Sequence, residues 1–204
     1  MLRRLLQLYI GLVLYGVSTA LFVHANLGAD PWDVFHLGMA KQLGISFGTV
    51  IILTGAAVLL LWIPIRQMPG LGTVSNVIVL GLAADATLAV LPPLESMVAR
   101  SALLAGAIVL NAIATGMYIG AGFGPGPRDG LMTGLHARTG WSLRGIRTAI
   151  ELSVLLIGWL LGGKFGVGTV IYALSIGPLI QLCLPWFSQP VSRNAVSPPR
   201  EIVS

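Results

Sequence analysis

Slid along itself by 96 residues, the chain matches itself without a gap. Gly28 falls on Gly124, Pro31 on Pro127 and Asp33 on Asp129. Gly38, Gly44 and Ser46 fall on Gly134, Gly140 and Ser142. Further on, Gly70, Gly72, Thr73, Val74 and Gly81 fall on Gly166, Gly168, Thr169, Val170 and Gly177. Chance does not hold one register over about fifty residues, so the chain is a tandem duplication. Any fold it adopts must serve both copies.

Composition restricts that fold further. Of 204 residues, 55% are hydrophobic and 9% charged, with a mean hydropathy of +0.88. A soluble domain carries about 25% charged residues, so this chain lacks the polar surface of a water-exposed globule. Disordered chains are charge-rich and poor in aliphatics. One cysteine, Cys183, rules out a disulfide scaffold. An integral membrane protein remains, with the lipid bilayer as its first partner.

A helix needs about 20 apolar residues to cross the hydrocarbon. Six stretches approach this: Leu5–Val23, Phe47–Ile65, Thr73–Leu91, Ser101–Ala121, Ile146–Leu161 and Gly168–Trp186. The fifth is the shortest and carries Glu151. The runs are too long, and too apolar all round, for barrel strands. The first follows Arg3 and Arg4 as a secretory signal would, but it outlasts the usual h-region, and a matching span sits mid-chain. It reads as a retained helix. Three spans per copy is an odd number, so the second copy enters the membrane upside down. The expected fold is therefore an all-α membrane protein of six transmembrane helices in two inverted three-helix repeats, residues 1–96 and 97–187. Residues 188–204 form an expected flexible cytoplasmic tail.

Lysines and arginines favour the cytoplasmic side. With the N-terminus inside, Arg3, Arg4, Arg66, Arg128, Arg138, Arg144, Arg147, Arg193 and Arg200 fall inside, against Lys41, Arg100 and Lys164 outside. Both termini are expected in the cytoplasm. A nucleic-acid partner would need a basic soluble module with a reader motif, and none is present.

Each copy breaks after its first span. Copy one reads Asn26-Leu-Gly-Ala-Asp-Pro-Trp-Asp, and copy two reads Gly122-Phe-Gly-Pro-Gly-Pro-Arg-Asp. Glycines, among them Gly28, Gly124 and Gly126, end the span, and Pro31 or Pro127 starts a new helix. The new helices, 32–43 and 128–139, are too short to cross. They are interfacial or re-entrant. Paired short Gly/Pro-interrupted segments are the sequence pointer to a transporter site. A second break, Gly70-Leu-Gly72-Thr73 and Gly166-Val-Gly168-Thr169, reads as a tight turn with a capping threonine.

Intramembrane ionisable residues are costly to hold and are candidates for function. Asp85 lies in the third span, and its repeat mate is Gln181. Asp85 reads as a proton or cation site, or as a hydrogen-bond partner of Asn111 or of the short-helix amides. Arg147 and Glu151, four residues apart, share a helix face. They form a gate at the cytoplasmic mouth with Arg128 and Asp129, or an ion pair that makes Glu151 tolerable in lipid. Arg128 beside Asp129 forms an anion site at a helix start, or the two satisfy each other. His24, His36 and His136 lack ligand spacing, so no metal and no cofactor is expected. Gly44-Ile-Ser46-Phe-Gly48 matches the hydrolase elbow formally, but Ser46 and Ser142 read better as helix caps.

Pro31-Trp32-Asp33, Arg128-Asp129-Gly130-Leu131-Met132, the Arg147 and Glu151 pair, and Gly162-Gly163 before Gly166-x-Gly168-Thr169 together resemble the YczE/YitT-type bacterial integral membrane proteins. The resemblance runs over residues 5–187 and implies a bacterial inner-membrane location. It implies no settled activity.

The expected function is a small transporter-like protein for a small molecule or ion. Its midplane site is expected to hold Asp33, Asp85, Arg128, Asp129 and Glu151. The alternative is an embedded accessory or regulatory protein acting through a membrane partner protein. Either form works alone or as a homodimer. No nucleophile, base and oxyanion set is assembled, so no enzyme is expected.

Overall fold

The computed structural model describes residues 1–188, an all-helical arrangement of eight helices. Apart from Ser188, the expected tail lies outside the described residues. The helices are α1 (Leu2–Ala25), α2 (Pro31–Leu43), α3 (Phe47–Ile65), α4 (Leu71–Val90), α5 (Met97–Gly120), α6 (Pro127–Thr139), α7 (Leu143–Leu160) and α8 (Val167–Phe187). Five of them, α1, α3, α4, α5 and α8, are long and apolar enough to cross a membrane. The fifth expected span, α7, does not reach that standard, because 18 residues accommodate Arg144, Arg147 and Glu151.

Local chemistry sets the boundaries. Asn26 ends α1 in the left-handed region at φ 57°, where asparagine is tolerated. Ser46 and Ser142 cap α3 and α7, their hydroxyls accepting from the amides of Thr49 at 3.2 Å and Gly145 at 3.1 Å. Thr73 and Thr169 act differently from the expected caps. Each sits three residues past a glycine N-cap, and its hydroxyl accepts from that glycine's amide, at 3.1 Å for Gly70 and 3.4 Å for Gly166.

Packing repeats itself with the two copies exchanged. Helices α1 and α5 lie antiparallel at the centre. Arg4 donates to the Ala121 carbonyl at 2.9 Å, Gln7 to Met117 at 2.9 Å, and Asn111 to Ser18 at 2.9 Å. Helix α4 packs on α1 as α8 packs on α5. The short helices cross over: α2 packs on α7 of the other copy, and α6 on α3. The turn before α4 reaches into the second copy, where the Gly72 amide donates to Phe123 at 2.9 Å. Its mate does the reverse, Gly168 donating to Leu27 at 2.8 Å.

Small residues permit these approaches. A Cβ on Gly38 would stand 2.6 Å from the Gly158 carbonyl oxygen, and one on Gly16 would stand 2.5 Å from that of Leu80. Gly28 and Gly124 hold φ of +108° and +112°, a backbone that side chains resist, in the two matching breaks.

The exchange fails in one place. Helix α3 packs firmly on α4, with Gly48 against Gly81, whereas α7 and α8 do not pack on each other in this way. Gly177, the mate of Gly81, faces open space.

Candidate functional site

The two short helices begin beside each other inside the bundle. Their starts are largely buried, with Asp129 exposed, and their ends, Lys41–Gly44 and His136–Gly140, are exposed. Each therefore runs from the interior of the bundle outward. Pro31 and Pro127 hold the first helical position in each.

Asp30 caps α2, one carboxylate oxygen accepting from the Asp33 amide at 2.7 Å. Its other oxygen accepts from Arg128 at 3.3 Å. The same guanidinium lies 3.9 Å from Asp33 Oδ1 and stacks over the Trp32 ring, 4.8 Å from its centroid. Asp33 Oδ1 is 3.3 Å from His36 Nδ1. On the other side, Asp129 accepts from the Tyr118 hydroxyl at 2.9 Å. Trp62 fixes the start of α6 by donating to the Pro127 carbonyl at 3.1 Å. From α7, Arg147 Nε donates to Glu151 at 2.8 Å.

These groups surround a cavity of about 110 Å³. Asp30, Arg128, Asp129, Arg147 and Glu151 line it, together with Tyr15, Trp32, Tyr118 and Tyr172. Asp33 stands just behind the wall, 1% exposed, with Oδ2 lacking a hydrogen-bond partner. The indole nitrogen of Trp32 is also buried without one. Asp30, Asp33 and His36 belong to the connector and α2, outside the long helices. Burial raises both carboxyls, that of Asp33 to about 7, against the pull of Arg128. Burial also lowers His36 well below its ordinary value, so its ring is neutral.

The expected site residues divide. Asp33, Arg128, Asp129, Arg147 and Glu151 come together. Arg128 does not pair with Asp129; it reaches across to Asp30 and Asp33 of the other copy, because the two helix starts face one another. Asp85 stands apart from the cavity. It accepts from Ser46 Oγ at 2.5 Å and from the Gly48 amide at 2.7 Å, tying α4 to the start of α3, and Asn111 is not its partner. Asn111 instead joins Ser18 to the hydroxyl of Tyr172. Gln181 is exposed on α8. The glycines Gly28, Gly70, Gly72, Gly124, Gly126, Gly166 and Gly168 shape the turns that bring the helix starts inward. Sequence reading passed over Tyr15, Tyr118 and Tyr172, since a tyrosine in an apolar span looks like core. It also set His36 aside as scattered. The signal available for His36 was its place three residues after Asp33, one turn along the same helix.

Apolar helices folded around a charged cavity define an integral membrane protein. The chain belongs to a family of unknown function, DUF6198, matched over residues 2–185. It is 38% identical over 177 residues to an uncharacterised protein of Haemophilus influenzae, covering 87% of this chain and 81% of that protein. It is 30% identical over 179 residues to the uncharacterised membrane protein YczE of Bacillus subtilis, covering 87% and 83%. A third relative, the uncharacterised protein YyaS of Bacillus subtilis, is 23% identical over 180 residues, covering 86% and 90%. The expected kinship with YczE-type proteins therefore holds. No solved structure matches the chain.

Proposed function

We propose that this is a small bacterial inner-membrane transporter built from two inverted three-span repeats, with its substrate site in the cavity where α2 and α6 begin. The carrying observation is the meeting of the two helix starts around five charged side chains. Charge held inside a membrane protein is costly and marks pathways. The exchanged contacts of the two copies, including the paired Gly72–Phe123 and Gly168–Leu27 bonds, support a pseudo-two-fold axis in the membrane plane.

On this reading α7 is the sixth crossing. Its Arg147 and Glu151 turn to the cavity, while Leu152, Leu156, Trp159 and Leu160 face outward to lipid. Its low apolarity is thus that of a helix with one wet face. Arg128 and Arg147 then belong to the cavity and leave the count of flanking charges, which still favours cytoplasmic termini by seven to three. The short helices are re-entrant. Rocking of one half against the other exposes the cavity to each side in turn.

Single cysteines placed along 28–40 and 124–136 in a Cys183→Ser background test this. Aqueous reagents are expected to label both segments near residues 30–33 and 126–129. Tags at 93–100 and 140–142 are expected on opposite faces of the membrane. Tags on the same face, or a stable partner protein co-purifying without any flux in reconstituted vesicles, would favour the accessory role.

A further inference from the structure

The charges around the cavity do not cancel. Its wall carries the carboxylates of Asp30, Asp129 and Glu151 against the guanidinium groups of Arg128 and Arg147. Asp33 adds another carboxylate behind the wall, 3.9 Å from Arg128. Arg128 is held between Asp30 and Asp33, and Arg147 is held by Glu151. Asp129 is the one of these carboxylates with neither guanidinium at ion-pair distance. Among the described residues no lysine, arginine or histidine nitrogen lies within 4.0 Å of it, and its hydrogen bond comes from the neutral Tyr118 hydroxyl. It is exposed, and it lines the cavity.

A carboxylate that lines a cavity with no cation in ion-pair contact attracts positive charge. The rest of the wall narrows the kind of cation. Tyr15, Tyr118 and Tyr172 line the same space, Tyr15 and Tyr118 meeting edge to face with ring centres 6.0 Å apart. Aromatic faces bind alkylated ammonium groups. The face of Trp32 is already taken by Arg128, so the tyrosines, whose rings also pack on one another and on Phe22, are the aromatic groups left on the wall. A metal ion asks for several oxygen or nitrogen ligands at once. Among the described residues no three histidine, cysteine, aspartate or glutamate side chains gather in that way.

The geometry points to a small organic ammonium ion as the ligand, its charge on Asp129 and its alkyl groups among Tyr15, Tyr118 and Tyr172. The inference rests on reading the cavity as a binding site. The space of about 110 Å³ suits a compact ammonium head group.

Calorimetric titration of the purified full-length protein in detergent tests it, at constant ionic strength. The probes are methylammonium chloride, tetramethylammonium chloride, sodium chloride and sodium acetate. Saturable binding of at least one ammonium ion is expected, with none for acetate. Asp129→Asn is expected to weaken it at least tenfold, and Asp129→Glu to restore part of it. Glu95→Gln, on the exposed connector after α4, is expected to bind as the wild type does. Binding of sodium or acetate alone, absence of saturation, or equal affinity in a folded Asp129→Asn protein would overturn the inference. If Asp129→Asn does not fold, the preference of the wild type for ammonium over sodium and acetate decides. Ammonium binding without flux in vesicles would remove transport and leave this site standing. Flux of an anion with no ammonium binding would do the reverse.

Discussion

Arg128 stacks on Trp32, its guanidinium carbon 4.8 Å from the ring centroid, and the two residues hold the same position in the two copies of the repeat. Duplication made the pair equivalent, and divergence made it complementary: one mate became a cation and the other an aromatic face. Asp30, whose mate is Gly126, completes the arrangement by accepting from Arg128. The two copies therefore fill matching positions of the site with different residues.

Arg128→Ala leaves Asp30 and Asp33 buried without their cation. Breaking one side of a buried ion pair costs about 3–5 kcal/mol. A large drop in melting temperature of the detergent-solubilised protein is expected. Arg128→Lys is expected to recover only part of it, because an ammonium group does not stack flat on an indole or bridge two carboxylates as a fork does.

Asp33 carries a dependence on pH. Its native pKa, about 7, stands above its ordinary 3.8, so the folded protein keeps a proton that the unfolded chain has lost. Stability then falls as pH rises from about 4 to about 7, and is level beyond. Asp30 acts in the same direction, neutral His36 in the opposite one, and Arg128 stays charged throughout. Melting curves of wild type and Asp33→Asn compared across that range isolate the Asp33 share. The variant is expected to gain on the wild type with rising pH. A constant difference would refute the assignment.

Gly28→Ala and Gly124→Ala are expected to destabilise the protein alike, each by more than about 1 kcal/mol, since both positions have positive φ. An added Cβ would also meet the facing turn, 2.8 Å from Gly166 N in one case and 3.2 Å from Gly70 Cα in the other. Thermal melts of the two variants should shift by similar amounts, as mates in a common frame require.

Thr73 and Thr169 should not behave alike. The Thr73 hydroxyl accepts from Gly70 at 3.1 Å and donates to the Pro125 carbonyl at 2.8 Å, whereas that of Thr169 makes the single bond to Gly166 at 3.4 Å. With about 1 kcal/mol for each bond, Thr73→Val is expected to cost about twice as much as Thr169→Val. Equal costs in matched thermal melts would show that the second bond to Thr73 contributes nothing.

The duplication, the apolar spans and the two Gly/Pro breaks were all legible in the chain, because they depend on local chemistry. A proline fixes φ, a glycine permits a turn, and an apolar run seeks lipid, whatever lies elsewhere. Pro31 and Pro127 accordingly start α2 and α6 one residue before the expected starts. Partnership was not legible. Asp85 looked like the clearest intramembrane carboxylate, yet its partners are Ser46 and Gly48, some 40 positions away in sequence. Arg128 beside Asp129 read as an anion site or as a self-satisfied pair, yet Arg128 pairs with residues 98 and 95 positions earlier. Adjacent side chains at a helix start point in different directions, and which one meets a counter-charge depends on what the opposite copy presents. The order of helices and their breaks thus belonged to the sequence itself. Which charges face the cavity, and which one is left without a counter-ion, arose only when two copies of the same module packed against each other.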